Sequence, residues 1–207
     1  MPMDLPDALT LAAQCAPAIA PETLLSIVQV ESGLNPLAIG VNGKPRVVVT
    51  ARTPAEAVAK SSALIAAGRS VDLGLAQINS KNLAWLGLTV EDAFDPCRNL
   101  AAAARILRGG YDADQASVVG EQQALRVALS RYNTGDAARG FNNGYVAKVV
   151  SAAARVVPAI QSAPVMSTEG TEPPPPRPAW DVFGQSTGGD FVIRISTPAP
   201  TPDGDPK

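Results

Sequence analysis

Apolar positions recur at helical spacing over most of the first 157 residues and lose that rhythm afterwards. The clearest case is Pro21 to Asn35, PETLLSIVQVESGLN. At 100° per residue Leu24, Ile27, Val28 and Leu34 fall on one stripe, and Glu31 falls in the middle of it. Pro21 suits the first turn, and Asn35-Pro36 ends the helix because a residue before proline avoids helical angles. The same reasoning predicts helices from Leu5 to Ala16, from the capping box Thr53-Pro54-Ala55-Glu56 to Gly68, from Lys81 to Leu86 and from Val90 to Phe94. Others run from Pro96 to Arg108, from Glu121 to Tyr132, and from Tyr145 to Val157 behind a Gly/Asn-rich loop over 140–144. The period changes at Ile39. Asn42-Gly43, between Ile39-Val41 and the β-branched run Val47 to Thr50, predicts a small hairpin. Val71 to Ser80, VDLGLAQINS, follows neither period and reads as a loop.

Beyond Pro158 the chain changes class, and the expected organisation is a helical domain over 1–162 followed by a Pro-rich flexible tail over 163–207. Ten of the nineteen prolines lie in that tail, including the run Pro173 to Pro176, a polyproline-type or disordered composition. Two apolar islands interrupt it, Asp181-Val182-Phe183 and Phe191 to Ile195, which read either as chance hydrophobics or as docking peptides. The second could add as a strand to a partner's sheet.

Charge and composition narrow the chemistry. Residues 1–162 carry 14 Lys and Arg against 13 Asp and Glu, and 163–207 carry 3 against 6. With no basic excess in either part, nucleic acid is not an expected partner. The chain has no histidine, which removes Ser-His-Asp and Cys-His catalysis and His-ligated zinc, and no acidic cluster offers an all-carboxylate metal site. No metal and no cofactor is expected. Two cysteines, Cys15 and Cys97, fit one disulfide in an oxidising compartment or two separate buried thiols equally well. No signal peptide pattern is visible, and no stretch reaches the ~18–20 apolar residues of a membrane span.

The candidate chemistry begins at Glu31. A carboxyl on the apolar side of a helix is desolvated, which raises its pKa and suits proton donation near neutral pH. Alone, it reads more readily as a structural glutamate than as a catalytic one. In the second stretch, Gln77 and Asn79 are amides suited to sugar hydroxyls and acetamides, and Gly74 would let backbone approach a ligand.

Taken together, Glu31-Ser32-Gly33, Gly74 to Asn79, Arg131-Tyr132-Asn133 with Gly135, and Tyr145-Val146 resemble the lysozyme-like lytic transglycosylases over about 20–157. The Gln14 to Pro17 and Asp95 to Asn99 segments resemble the transglycosylase subunits of type IV secretion systems. Ala76 is a departure, standing where many relatives carry methionine. The resemblance implies a mainly α fold, a lysozyme-like helical domain with a small β-hairpin at the cleft. It implies Glu31 as the catalytic acid, steadied by Ser32, with Gln77, Asn79, Tyr132, Asn133 and Tyr145 as substrate-binding residues. Tyr132 is expected to hydrogen-bond the Glu31 carboxyl. It further implies peptidoglycan glycan strands as substrate, a periplasmic location, and secretion-system proteins as partners through the tail.

The implied reaction needs one carboxyl. Glu31 would protonate the leaving oxygen of the MurNAc-GlcNAc bond and then take the proton of the muramic C6 hydroxyl as a 1,6-anhydro ring closes. The alternatives are a lysozyme-type hydrolase, in which Asp72 activates water, and a non-catalytic glycan-binding assembly subunit.

Overall fold

The computed structural model describes residues 2–44 and 47–162. The tail expected over 163–207, with its two apolar islands, lies outside the described residues. Helices dominate: α1 (Leu5–Cys15), α2 (Pro21–Glu31), α3 (Pro54–Ala66), α4 (Leu83–Leu86), α5 (Pro96–Gly110), α6 (Ala113–Val119), α7 (Glu121–Thr134), α8 (Arg139–Asn142) and α9 (Tyr145–Ser162). Three short strands, β1 (Ile39–Val41), β2 (Val71–Leu73) and β3 (Ile78–Asn79), form one antiparallel sheet in the order β1-β2-β3. The architecture is the mainly α one expected, with the small β element.

The core is built around α2. Leu24, Leu25, Ile27 and Val28 have no exposed surface, each worth about 1.5–3 kcal/mol of apolar burial. Burial extends all round the helix, to Thr23 and Ser26, because α1, α5 and α9 pack against it. Ser26 remains satisfied by donating its hydroxyl to the Glu22 carbonyl at 2.6 Å. The helix stops at Glu31, earlier than the Asn35-Pro36 signal predicts. Ser32 caps it, and Gly33 (φ 60°) and Leu34 (φ 65°) take left-handed angles. Glu31 thus stands in the last turn of a buried helix.

Cys15, at the end of α1, and Cys97, in the first turn of α5, are joined as a disulfide with Cα atoms 5.3 Å apart. The bridge spans 82 residues, a closure worth about 4–5 kcal/mol in the chain-entropy model.

The β element departs from the expected hairpin. β1 pairs not with Val47 to Thr50 but with β2, in the register Ile39↔Leu73, Gly40↔Asp72 and Val41↔Val71, while Val49 contributes a single bridge to Ile39. The segment read as a loop, Val71 to Ser80, supplies the two remaining strands. Long-range ties decide this. Asn99, buried on α5, donates through Nδ2 to the carbonyls of Leu73 (2.9 Å) and Ala93 (2.7 Å) and accepts from Ala76 N–H (2.8 Å). Gly74, at φ 72°, packs so tightly there that a Cβ would fall 2.4 Å from the Ala93 carbonyl oxygen. Its role is therefore close approach to the protein's own backbone, not to a ligand.

Two short helices, α6 and α8, were not predicted. In α8 Gly140 lies against Ser130, whose hydroxyl accepts the Gly140 N–H at 2.8 Å, so a stretch rich in turn residues is held helical by tertiary contact. The last helix also continues through Pro158 to Ser162.

Candidate active site

A cleft of about 560 Å³ opens beside the C-terminal end of α2. α2 contributes Glu31, the end of α7 contributes Arg131, Tyr132, Asn133 and Gly135, and the sheet contributes Asp72, Ile78 and Asn79 with the adjoining Asn42, Ser70 and Gln77. Lys81, Asn82, Trp85 and Ile106 complete the lining. Of the residues expected at the site, Glu31, Gln77, Asn79, Tyr132 and Asn133 meet here. Ser32 and Tyr145 do not line the cleft.

Burial raises the pKa of Glu31 from 4.5 to about 7. The hydrogen bond from Tyr145 opposes that rise, and the nearby charge of Asp72 adds to it. The carboxyl therefore retains a proton near neutral pH. Tyr145 Oη donates to Glu31 Oε1 at 2.6 Å, which leaves Oε2 to carry that proton. Tyr145 is 6% exposed and packs behind the carboxyl, on the first turn of α9 where that helix crosses α2.

The expected bond between Tyr132 and Glu31 is not formed. Tyr132 Oη donates instead to the Ala76 carbonyl at 2.8 Å, tying α7 to the β2–β3 turn. The tyrosine that engages Glu31 comes from the element packed along α2, a pairing across 114 residues that no local pattern announces. Both phenols are pushed well above their usual pKa, chiefly by burial and then by the charge of Glu31, so both remain protonated donors.

The amides are more committed to the protein than their chemistry alone suggested. Asn79 Nδ2 donates to Asp72 Oδ1 (2.6 Å) and Ser70 Oγ (2.9 Å), and its Oδ1 accepts from Lys81 N–H (3.0 Å). Gln77, at φ 51°, donates from Nε2 to the carbonyls of Gly74 (2.9 Å) and Ala38 (3.2 Å), leaving Oε1 beside Gly40. Asn133 is exposed and accepts from Asn143 Nδ2 at 2.9 Å, which leaves its own amide N–H groups for other partners. Ser32 donates to the Val28 carbonyl at 3.3 Å, a helix-end bond that does not reach Glu31.

Asp72 is the second carboxyl of the cleft. It sits on β2 between Gly40 and Asn79, and Oδ2 accepts from Asn42 Nδ2 at 2.7 Å. Burial raises its pKa, while the bonds from Asn79 and Asn42 pull it down. The sequence marks Asn42 only as a turn residue and Ser70 not at all, because their part in the site comes from strand register. For Trp85 and Lys81, on the short helix predicted from Lys81 to Leu86, nothing local in the sequence separates a lining residue from a surface one.

Among the described residues no group of His, Cys, Asp and Glu side chains could hold a metal ion. No helix among them is long and apolar enough to cross a membrane.

The chain is similar to known proteins along most of its length. The family model for the transglycosylase SLT domain matches residues 8–152. "Protein virB1" of Agrobacterium fabrum is 40% identical over 187 residues, covering 88% of this chain and 73% of the relative. "Type IV secretion system protein virB1" of Brucella suis biovar 1 is 43% identical over 168 residues, covering 75% and 70%. Its Brucella abortus counterpart is 44% identical over 151 residues, covering 70% and 63%. No solved structure gives a significant match. With the match spanning both Glu31 and the whole cleft, the chain belongs to the SLT transglycosylase domain family.

Proposed function

We propose that the protein is a lytic transglycosylase that cleaves the MurNAc-GlcNAc β-1,4 bond of peptidoglycan and leaves a 1,6-anhydroMurNAc end. The observation that carries the reading is Glu31, a carboxyl whose pKa is lifted to about 7 in a cleft lined by amides and hydroxyls. Glu31 gives its proton to the GlcNAc O4 as the C1–O4 bond breaks. The resulting carboxylate accepts the proton of the muramic C6 hydroxyl, and that oxygen bonds to C1. The carboxyl ends as it began, protonated, and no second catalytic acid is needed. Tyr145 steadies the carboxylate between the two steps through its bond to Oε1. Asn133, with free amide donors, is the substrate-binding candidate best supported among the expected residues, and Gln77 and Asn79 act mainly by shaping the cleft.

The Brucella relatives' names place them in type IV secretion, and we extend that setting to this chain. There the enzyme works outside the cytoplasm and opens the wall locally for the secretion channel. The apolar islands of 163–207 dock secretion-system proteins.

Replacing Glu31 with Gln tests the proposal. Loss of general acid–base catalysis lowers the rate of glycan cleavage by at least ~10²–10⁴, and full activity in this variant would end the reading. One observation favours a second reading, a lysozyme-type hydrolase. Asp72 lines the same cleft and its charge acts on Glu31, so a water held there would have a second carboxylate as base.

A further inference from the structure

We propose that Trp85 is a sugar-stacking platform, a subsite of the cleft that takes the apolar C–H face of a hexosamine ring. The inference rests on the glycan-cleaving reading and adds a binding residue to it. α4 has the sequence LAWL, and Leu83 and Leu86 anchor it in the core at 8% and 5% exposure. Trp85 projects away from that anchor and stays 54% exposed. So large an exposed indole forgoes apolar burial that its neighbours obtain.

Its orientation is nonetheless fixed on two sides. The indole Nε1 donates to Asn82 Oδ1 at 3.2 Å. The Arg105 guanidinium lies over the ring at 5.7 Å from the centroid, held there by its own bond from Nη1 to the Leu86 carbonyl at 2.9 Å. Trp85 lines the cleft and Arg105 does not. The cation covers one face of the indole, and the subsite uses the opposite face. The exposed valines Val48 and Val118, at 85% and 84%, line no part of it. A ring already immobilised loses little side-chain freedom when a flat ligand settles on it. The cleft's other aromatic, Tyr132, has its hydroxyl bound to the Ala76 carbonyl.

The chain has two tryptophans, so full-length Glu31→Gln, Trp180→Phe protein reports on Trp85 alone without turnover. It is titrated with the alternating GlcNAc-MurNAc hexasaccharide of peptidoglycan, by fluorescence and by calorimetry. Expected is a saturable blue shift of Trp85 emission that follows the calorimetric isotherm. Trp85→Ala in the same background should bind roughly tenfold more weakly, the upper end of an aromatic contact, and Trp85→Phe should regain most of the loss. Saturable calorimetric binding with no change in emission, or unchanged affinity in Trp85→Ala, would overturn the subsite while leaving the cleft's function intact. No calorimetric binding by the parent variant would instead overturn the glycan reading, and the subsite with it.

Discussion

Glu31→Gln should alter stability in a way that depends on pH, and the size of the effect follows from the site. The carboxyl titrates at about 7 in the folded protein against 4.5 as its unperturbed value. Between those values the folded state holds a proton that the unfolded chain has released, so stability falls as pH rises through the window. At ~1.4 kcal/mol per unit, the wild type loses about 3 kcal/mol by pH 8 relative to pH 4 through this one group. Glutamine is neutral throughout and loses nothing. At pH 4 the two proteins differ only by how well the amide fits, a term that does not change with pH. By pH 8 the variant should have gained on the wild type by roughly 6–12 °C in Tm, at ~2–4 °C per kcal/mol for a chain of this size. No histidine titrates in this window, and the carboxyls other than Glu31 are common to both proteins. Thermal unfolding of both proteins at half-unit intervals from pH 4 to 8 measures the difference. A difference that stays flat, or a wild type that gains on the variant as pH rises, would refute the buried, proton-retaining carboxyl.

The remaining predictions concern the groups around Glu31, the scaffold and the tail. Tyr145→Phe removes a donor that favours the carboxylate, so the basic limb of the pH–rate profile should move up by about one unit, the equivalent of one charge-assisted hydrogen bond; no shift, or a downward one, would contradict the assignment. Asn99→Ala leaves the Ala76 N–H and the Leu73 and Ala93 carbonyls unpaired in the core. Urea unfolding should show a loss of at least ~2–3 kcal/mol, and a loss below ~0.5 kcal/mol would mean the β2–β3 turn holds itself. A protein truncated to residues 1–162 should retain its thermal midpoint and its activity on isolated wall but fail to support secretion in cells. A large drop in midpoint or wall activity would place the domain boundary elsewhere.

How much was legible in the sequence can be traced element by element. Helices with their own punctuation were readable: Thr53 and Asp95 cap α3 and α5 by accepting the Glu56 and Arg98 N–H groups. Glu31 was readable because its place on an apolar stripe is a local property. The pairing of β1 with β2 was not, because the Asn42-Gly43 turn signal competes with ties from Asn99 that arrive from 26 residues away. The partner of Glu31 is hidden from the sequence for the same reason. Tyr132 and Tyr145 both come late in the chain, and only the packing of α9 along α2 decides which hydroxyl reaches Oε1. Asn79 looked like a free amide, yet the antiparallel register sets it opposite Asp72, where its donors are consumed.

The central claim is that one carboxyl, Glu31, performs both proton transfers and that the muramic C6 hydroxyl is the nucleophile. The most direct measurement is mass analysis of muropeptides released from purified cell wall by the wild-type protein. The account predicts products ending in 1,6-anhydroMurNAc, each lighter by one water than the corresponding hydrolase product. Products carrying a reducing-end MurNAc would contradict it and make Asp72, as base for a water nucleophile, the residue to replace next.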